Sequence, residues 1–184
     1  MLRGRREQRR EERETFGRGG NATVYRVREK MLSIGDDLWI ENDAGERVFR
    51  VDGKALRVRK TMIFEDTEGR ELCKIQSKLL RVRDSMEVED PDGERIAMIK
   101  KAVISPLRER WVVDRPDAPD LHVQGNILDH EYEIEEDGRK VAEVSKRWFR
   151  VRDTYGVEIA PGQNDVLILA VTAAIDAMTA GVGK

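Results

Sequence analysis

The sequence predicts a mainly β protein, in which a closed antiparallel sheet surrounds one hydrophobic helix. Three observations lead to this prediction. Short runs of alternating apolar and polar residues follow one another from Val24 onward. Turn signals, most of them containing glycine, separate these runs along the chain. The single long apolar segment, residues 164–181, stands near the end of the chain and has the caps of a helix.

Residues 1–22 precede the first alternating run and have almost nothing to bury. Seven arginines stand there among four glutamates. Because such a segment cannot bury enough apolar surface to offset its ordering entropy, we expect a disordered Arg/Glu-rich tail. A basic arm that contacts lipid or RNA is the alternative. The segment also lacks the apolar core of a secretory signal.

Residues 23–181 form the predicted barrel domain. Runs such as VYRV, RVFRV, MIFE, ELCKI, RIAMI, YEIE and YGVEI alternate with a period of two, as strands with one buried face do. Gly45, Gly69 and Gly93 are evenly spaced, and each begins a unit of turn, strand, connection and strand. A fourth unit begins at Glu136. Consecutive hairpins of this kind predict an up-and-down meander.

The last segment is predicted to be a helix over about residues 165–180. Asn164 and Asp165 suit the N-cap and first turn, and Gly181 suits the position after the end. About 16 residues give a helix of roughly 24 Å, which is shorter than the ~30 Å hydrocarbon core of a bilayer. Asp176 would also be costly in lipid. Apolar side chains cover nearly the whole circumference, so we expect the helix to be central and buried.

The composition gives no sign of catalysis or of nucleic-acid binding. The net charge is −2 and aromatic residues are only 5% of the chain, which leaves no stacking platform. The single cysteine, Cys73, fits a reducing compartment and a buried inert thiol. The only histidines, His122 and His130, have no metal-site spacing. We therefore expect a non-enzymatic cytoplasmic protein without a cofactor or a metal.

The pattern Arg-Val-Arg occurs four times, at 26–28, 57–59, 81–83 and 150–152. On a strand the valine faces the core and both arginines face outward, where adjacent strands could gather them into a site for phosphates. The alternative is a cross-strand charge ladder with outward glutamates, each pair contributing only tenths of a kcal/mol. The candidate anionic-ligand residues are Arg57, Arg59, Arg81, Arg83, Arg150 and Arg152, and the candidate ladder glutamates are Glu87, Glu89, Glu133 and Glu135.

Five stretches together resemble the LURP-one-related family: LHVQGN at 121–126, YEI at 132–134, VAEVSK at 141–146, DTYGVEI at 153–159 and DVLILAVTAAID at 165–176. That family is grouped with the tubby C-terminal domains and the phospholipid scramblases. The resemblance covers about residues 24 to 180. It implies a closed antiparallel twelve-stranded tubby-like barrel around a central hydrophobic C-terminal helix.

The resemblance implies a function only in outline, because the biochemical activity of the family is largely undefined. Tubby relatives bind phosphoinositides, and scramblase relatives act at membranes. The chain lacks the proline-rich leader and cysteine cluster of the scramblases, and the acids of EDPDGER at 89–95 lack spaced distal ligands for calcium. We expect a monomer that binds anionic phospholipid or phosphoinositide peripherally. A protein-interaction scaffold without a lipid role and a scramblase-like lipid-handling protein are the alternatives.

Overall fold

The computed structural model describes residues 2–28, 38–52, 61–77, 85–102, 110–148 and 154–179. These residues form helix α1, twelve strands and helix α2. The elements are α1 (Leu2–Thr15), β1 (Thr23–Arg28), β2 (Leu38–Asn42), β3 (Arg47–Asp52), β4 (Thr61–Asp66), β5 (Glu71–Ser77), β6 (Ser85–Glu89), β7 (Arg95–Ala102), β8 (Arg110–Asp114), β9 (Leu121–Asn126), β10 (Glu131–Glu136), β11 (Arg139–Ser145), β12 (Thr154–Ile159) and α2 (Asp165–Thr179).

The twelve strands close into one antiparallel barrel. Each strand pairs with its neighbours in sequence, and β1 pairs with β12 to complete the ring. The closing register runs from Thr23 opposite Ile159 to Arg28 opposite Thr154. Closure leaves no exposed strand edge, as the alternating runs of the sequence predict. The predicted fold class is therefore confirmed.

The sequence repeat appears as one turn geometry used three times, at residues 42–45, 66–69 and 90–93. In each turn the glycine amide donates a hydrogen bond to the carbonyl of the first residue, at 3.0, 3.1 and 3.0 Å. The φ values of Gly45, Gly69 and Gly93 are 80, 79 and 85°, in the left-handed region that glycine enters without steric cost. A strand register shift accompanies each turn. The three units are thus alike in backbone structure.

Helix α2 lies in the lumen of the barrel. All nine consecutive residues 167–175 are buried, so every side of the helix is covered. It contacts β6 and β12, which stand opposite each other in the ring of strands. Its N-cap is the predicted one, because the Asn164 side-chain oxygen accepts a hydrogen bond from the Leu167 amide at 3.0 Å.

The N-terminal segment differs from the disordered tail that the sequence predicts for residues 1–22. Residues Leu2–Thr15 form helix α1. The Gln8 side chain donates to the Gly138 carbonyl at 2.8 Å, and the Gly17 amide donates to the Glu158 carboxylate at 2.8 Å. Both partners lie more than a hundred positions away in sequence, so composition gives no sign of these contacts.

The two ends of the barrel differ in the segments attached to them. All odd-numbered strands run in the same direction, and their last residues define what we call the odd-strand rim: Arg28, Asp52, Ser77, Ala102, Asn126 and Ser145. The opposite end, the turn rim, carries the five short turns 43–46, 67–70, 90–94, 115–120 and 137–138. Helix α2 follows β12 from the turn rim and runs towards the odd-strand rim.

Candidate functional site

The six arginines predicted to bind an anionic ligand, Arg57, Arg59, Arg81, Arg83, Arg150 and Arg152, lie outside the described residues. The first Arg-Val-Arg triplet is described, at the end of β1. There Val27 is buried while Arg28 is exposed and Arg26 is partly exposed. The alternation expected for this triplet is therefore confirmed, with the valine inward and the arginines outward.

In the sequence, all four Arg-Val-Arg triplets end at, or lie between, described residues that stand at the odd-strand rim. The first triplet ends β1 at the odd-strand rim. The second lies in the sequence between Asp52 and Thr61, and the third between Ser77 and Ser85. The fourth lies between Ser145 and Thr154. All of these flanking residues are strand ends at the odd-strand rim.

The turn rim carries many acidic residues. Its short turns are rich in carboxylates: Asp43, Glu46, Glu68, Asp90, Asp92, Glu94, Asp117, Asp120 and Asp137. Two of these turns are ordered by aspartate side chains, because Asp66 accepts hydrogen bonds from the amides of Glu68 and Arg70, and Asp90 acts in the same way. The short turns of the turn rim thus carry an excess of carboxylates.

On the outer wall, several cationic side chains of the described strands are paired with carboxylates. Arg50 contacts Glu65 at 2.5 Å across β3 and β4. Arg28 lies 3.8 Å from Glu41, and Lys100 lies 3.5 Å from Asp114. None of these three pairs involves the predicted ladder glutamates, and one of those glutamates, Glu87, is buried, with 5% exposure, where an exposed side chain is expected. The described wall thus contains cross-strand ion pairs, while the predicted ladder with the six candidate arginines stays a prediction.

A buried polar cluster lies just inside the odd-strand rim. Asp176 of α2 is 3.0 Å from the His130 imidazole, measured from Oδ1 to Nε2. The other carboxylate oxygen accepts a hydrogen bond from the Tyr155 hydroxyl. The His130 ring also stacks on the Tyr155 ring, with centroids 4.3 Å apart. One carboxylate therefore connects the central helix to β12 and to the turn between β9 and β10.

The backbone around His130 is held in an uncommon conformation. His130 has φ 52°, and its amide donates to the Ile127 carbonyl at 3.1 Å. The Asn126 side-chain amide donates to the Asp129 carboxylate at 2.6 Å, which closes the same turn. A tight, cross-linked turn of this kind can hold a non-glycine residue at positive φ. It directs the imidazole inward to Asp176.

Buried tyrosines extend the polar contacts along the helix. Burial raises the pKa of Tyr132 well above its usual range, and the nearby Asp176 carboxylate raises it further. Near the opposite end of α2, the Tyr25 hydroxyl donates to Asp165 at 2.6 Å. Burial is the largest cause that raises the pKa of Tyr25, followed by this hydrogen bond. Both phenols are thus neutral at physiological pH.

Sequence reasoning treats His130 and Asp176 separately and misses their contact. The two residues are 46 positions apart, and His130 has no metal-site spacing. The only available signal is the presence of a carboxylate in an otherwise apolar helix, because a buried charge needs a partner. No group of His, Cys, Asp and Glu that could hold a metal ion occurs among the residues that the structure describes.

The family model for LURP-one-related proteins matches residues 23–176. The chain belongs to the LURP-one-related family. An X-ray structure of a protein from Arabidopsis thaliana is similar to it, with a TM-score of 0.64 and 13% sequence identity, over 84% of this chain and 90% of that one. At this identity the likeness supports the fold alone. No curated protein matches the chain.

Two further features of this LURP-one-related barrel concern membranes and redox chemistry. Among the described residues, no helix has the length and hydrophobicity needed to cross a bilayer.

Cys73 is fully buried, as the sequence predicts. Burial raises the pKa of its thiol to about 12, with a smaller contribution from Glu71, so the reactive thiolate is disfavoured.

Proposed function

We propose that this LURP-one-related protein is a non-enzymatic cytoplasmic module that binds anionic phospholipid or phosphoinositide peripherally through the odd-strand rim. One observation carries the proposal: all four Arg-Val-Arg triplets end at, or lie between, strand ends of that rim. Arginine guanidinium groups bind phosphate oxygens in a bidentate manner. Several of them at one end of a barrel would make that end face a negative leaflet.

The position of charged residues along the chain supports docking with the odd-strand rim towards the membrane. Each arginine near an anionic leaflet contributes about 1 kcal/mol, so only several acting together bind usefully. Carboxylates of the short turns at the turn rim would be repelled by the same surface. A barrel with this polarity is expected to dock end-on rather than by its wall, where the described cations Arg50 and Lys100 already have carboxylate partners.

The test is co-sedimentation of the full chain with vesicles of anionic or zwitterionic phospholipid at low and physiological salt. The test variant carries Arg57→Glu, Arg59→Glu, Arg81→Glu and Arg83→Glu. The control variant makes the same charge change at exposed arginines of the turn rim: Arg47→Glu, Arg70→Glu, Arg95→Glu and Arg139→Glu.

We expect the wild type and the control to bind anionic vesicles at physiological salt, and the test variant to lose binding. Equal loss in both variants would mean that net charge alone drives binding, against a rim site. Binding of the wild type that disappears at physiological salt would also contradict the proposal. Adding phosphoinositide to the vesicles distinguishes a specific headgroup from general negative charge.

A protein-interaction scaffold without a lipid role is the second candidate. The paired charges of the described outer wall favour it, because a wall of neutralised ion pairs has little attraction for a membrane. The absence of vesicle binding at low salt would support this candidate. The scramblase-like alternative predicts lipid exchange between leaflets of the same vesicles, whereas peripheral binding predicts none.

A further inference from the structure

Three glutamates face one another across neighbouring strands of the outer wall. Glu133 of β10 is the register partner of Glu143 of β11, and Glu143 is the register partner of Glu158 of β12. We call these three residues the glutamate row. Like charges directly opposite on adjacent strands repel each other, so the row is unfavourable unless cations or hydrogen-bond donors compensate it.

Lys140 compensates part of the row. Its ammonium group lies 3.0 Å from Glu133 and 2.7 Å from Glu143. Burial alone would lower the pKa of Lys140, but its hydrogen bonds to both carboxylates outweigh burial and raise it. Glu158 receives a different partner, which is the amide of Gly17 at 2.8 Å. The third carboxylate is thus satisfied by the N-terminal segment.

The N-terminal segment, residues 4–20, which we call the arm, lies against the Glu143 and Glu158 end of the glutamate row. The Phe16 ring packs beneath the Lys140 ammonium, 4.9 Å from its centroid. Glu158 is only 7% exposed although it belongs to the outward row. Arg9 and Arg13 line a groove of about 400 Å³ together with Glu143 and Trp148. The arm therefore places arginines beside the acidic row.

The arm has little apolar surface with which to bind. Helix α1 is polar on all sides, and most of its described side chains are exposed. Its arginines outnumber its glutamates, whereas the glutamate row with Lys140 carries a net negative charge. Electrostatic attraction and a few hydrogen bonds therefore dominate docking. Contacts of this kind are individually weak and are screened by salt.

We propose that the glutamate row is a docking surface for a basic helix, and that its occupant is the chain's own arm, held reversibly by charge. The arm lies on the outer wall of the barrel and is not part of the barrel's core. The docking does not depend on the lipid function proposed above, so either can fail without the other.

The test uses the full chain and two readouts: trypsin cleavage at the arm arginines, resolved by mass spectrometry, and hydrogen exchange of the Gly17 amide. The test variant carries Glu143→Gln and Glu158→Gln, which remove charge but keep shape and a hydrogen-bond acceptor. The control variant carries Glu68→Gln and Glu94→Gln, two exposed residues of the turn rim. Urea unfolding of each variant reports on the barrel itself.

We expect arm cleavage and Gly17 exchange to be at least about threefold faster in the test variant than in the control, as the loss of one or two weak charge contacts implies. Barrel stability should be unchanged or higher, because neutralising the row removes repulsion. Raising the salt concentration should speed wild-type arm cleavage and affect the test variant less.

Three results would overturn the proposal. Equal cleavage rates in the test and control variants would show that charge does not hold the arm. Loss of barrel stability in the test variant would make the glutamates structural supports of the barrel instead of a docking surface. Arm protection that rises with protein concentration would place the arm on a second copy of the chain and not on its own barrel.

Discussion

Asp176 on the central helix lies 3.0 Å from His130 in the turn between β9 and β10. The contact accounts for the presence of an acid in a helix that is otherwise apolar and buried. A carboxylate here receives hydrogen bonds from the imidazole and from Tyr155, so it holds the helix end in one position relative to the barrel. The pair ties this end of the helix to the wall of the barrel.

Asp176→Ala is expected to lower the free energy of unfolding by about 2–4 kcal/mol, because it leaves two largely buried donors without their acceptor. Asp176→Asn, which keeps the shape and one acceptor, should cost less. Urea unfolding measures both. A double-mutant cycle with His130→Ala should give a coupling of at least about 1 kcal/mol. Additive losses would mean that the pair does not act as a unit.

Gly125→Ala is expected to destabilise the barrel by about 1–3 kcal/mol or more, since positive φ and a steric clash act together. Gly125 has φ 139°, and a Cβ there would lie 2.6 Å from the Glu131 carbonyl oxygen and 2.7 Å from the Tyr132 Cα. Gly69→Ala is the matched control, because Gly69 also has positive φ but open space around it. Thermal unfolding should give the Gly125 variant a clearly lower melting temperature than the control variant. Equal melting temperatures would contradict the clash.

Cys73 is expected to resist thiol reagents in the native protein at about pH 8, where most exposed thiols react readily. Its raised pKa, about 12, and its complete burial both oppose reaction. Labelling followed by mass measurement, without urea and then in unfolding urea, gives the comparison. Rapid native labelling would show that the barrel opens at β5 far more often than a closed sheet allows.

Tyr25→Phe is expected to cost about 1 kcal/mol near neutral pH, because the hydrogen bond to Asp165 is lost. The folded-state pKa of Tyr25 lies above the ordinary value of 10.0, so its stabilising contribution is complete below pH 10.0 and is lost as pH rises through the folded pKa. The difference in unfolding free energy between wild type and variant should therefore shrink in strong alkali. A constant difference across this range would contradict the assignment.

Much of the fold is predictable from local features of the chain. Period-two alternation sets which side chains of VYRV or YEIE face inward, because successive side chains of any strand point to opposite faces. The even spacing of Gly45, Gly69 and Gly93 predicts the repeated turns, since the left-handed conformation is cheap only for glycine. The all-round apolar surface of residues 166–175 predicts a buried helix, and Asn164 predicts where it begins.

Only the tertiary structure decided which distant groups meet. The pairing of Asp176 with His130, the register of the glutamate row and the docking of the arm all join residues that are far apart in sequence. Their energies depend on strand register and on burial, which local pattern does not specify. Alternation and turn chemistry act within a few residues, so the sequence by itself determined the barrel and its helix. Closure of the ring determined the rims, the buried polar cluster and the surface on which the arm lies.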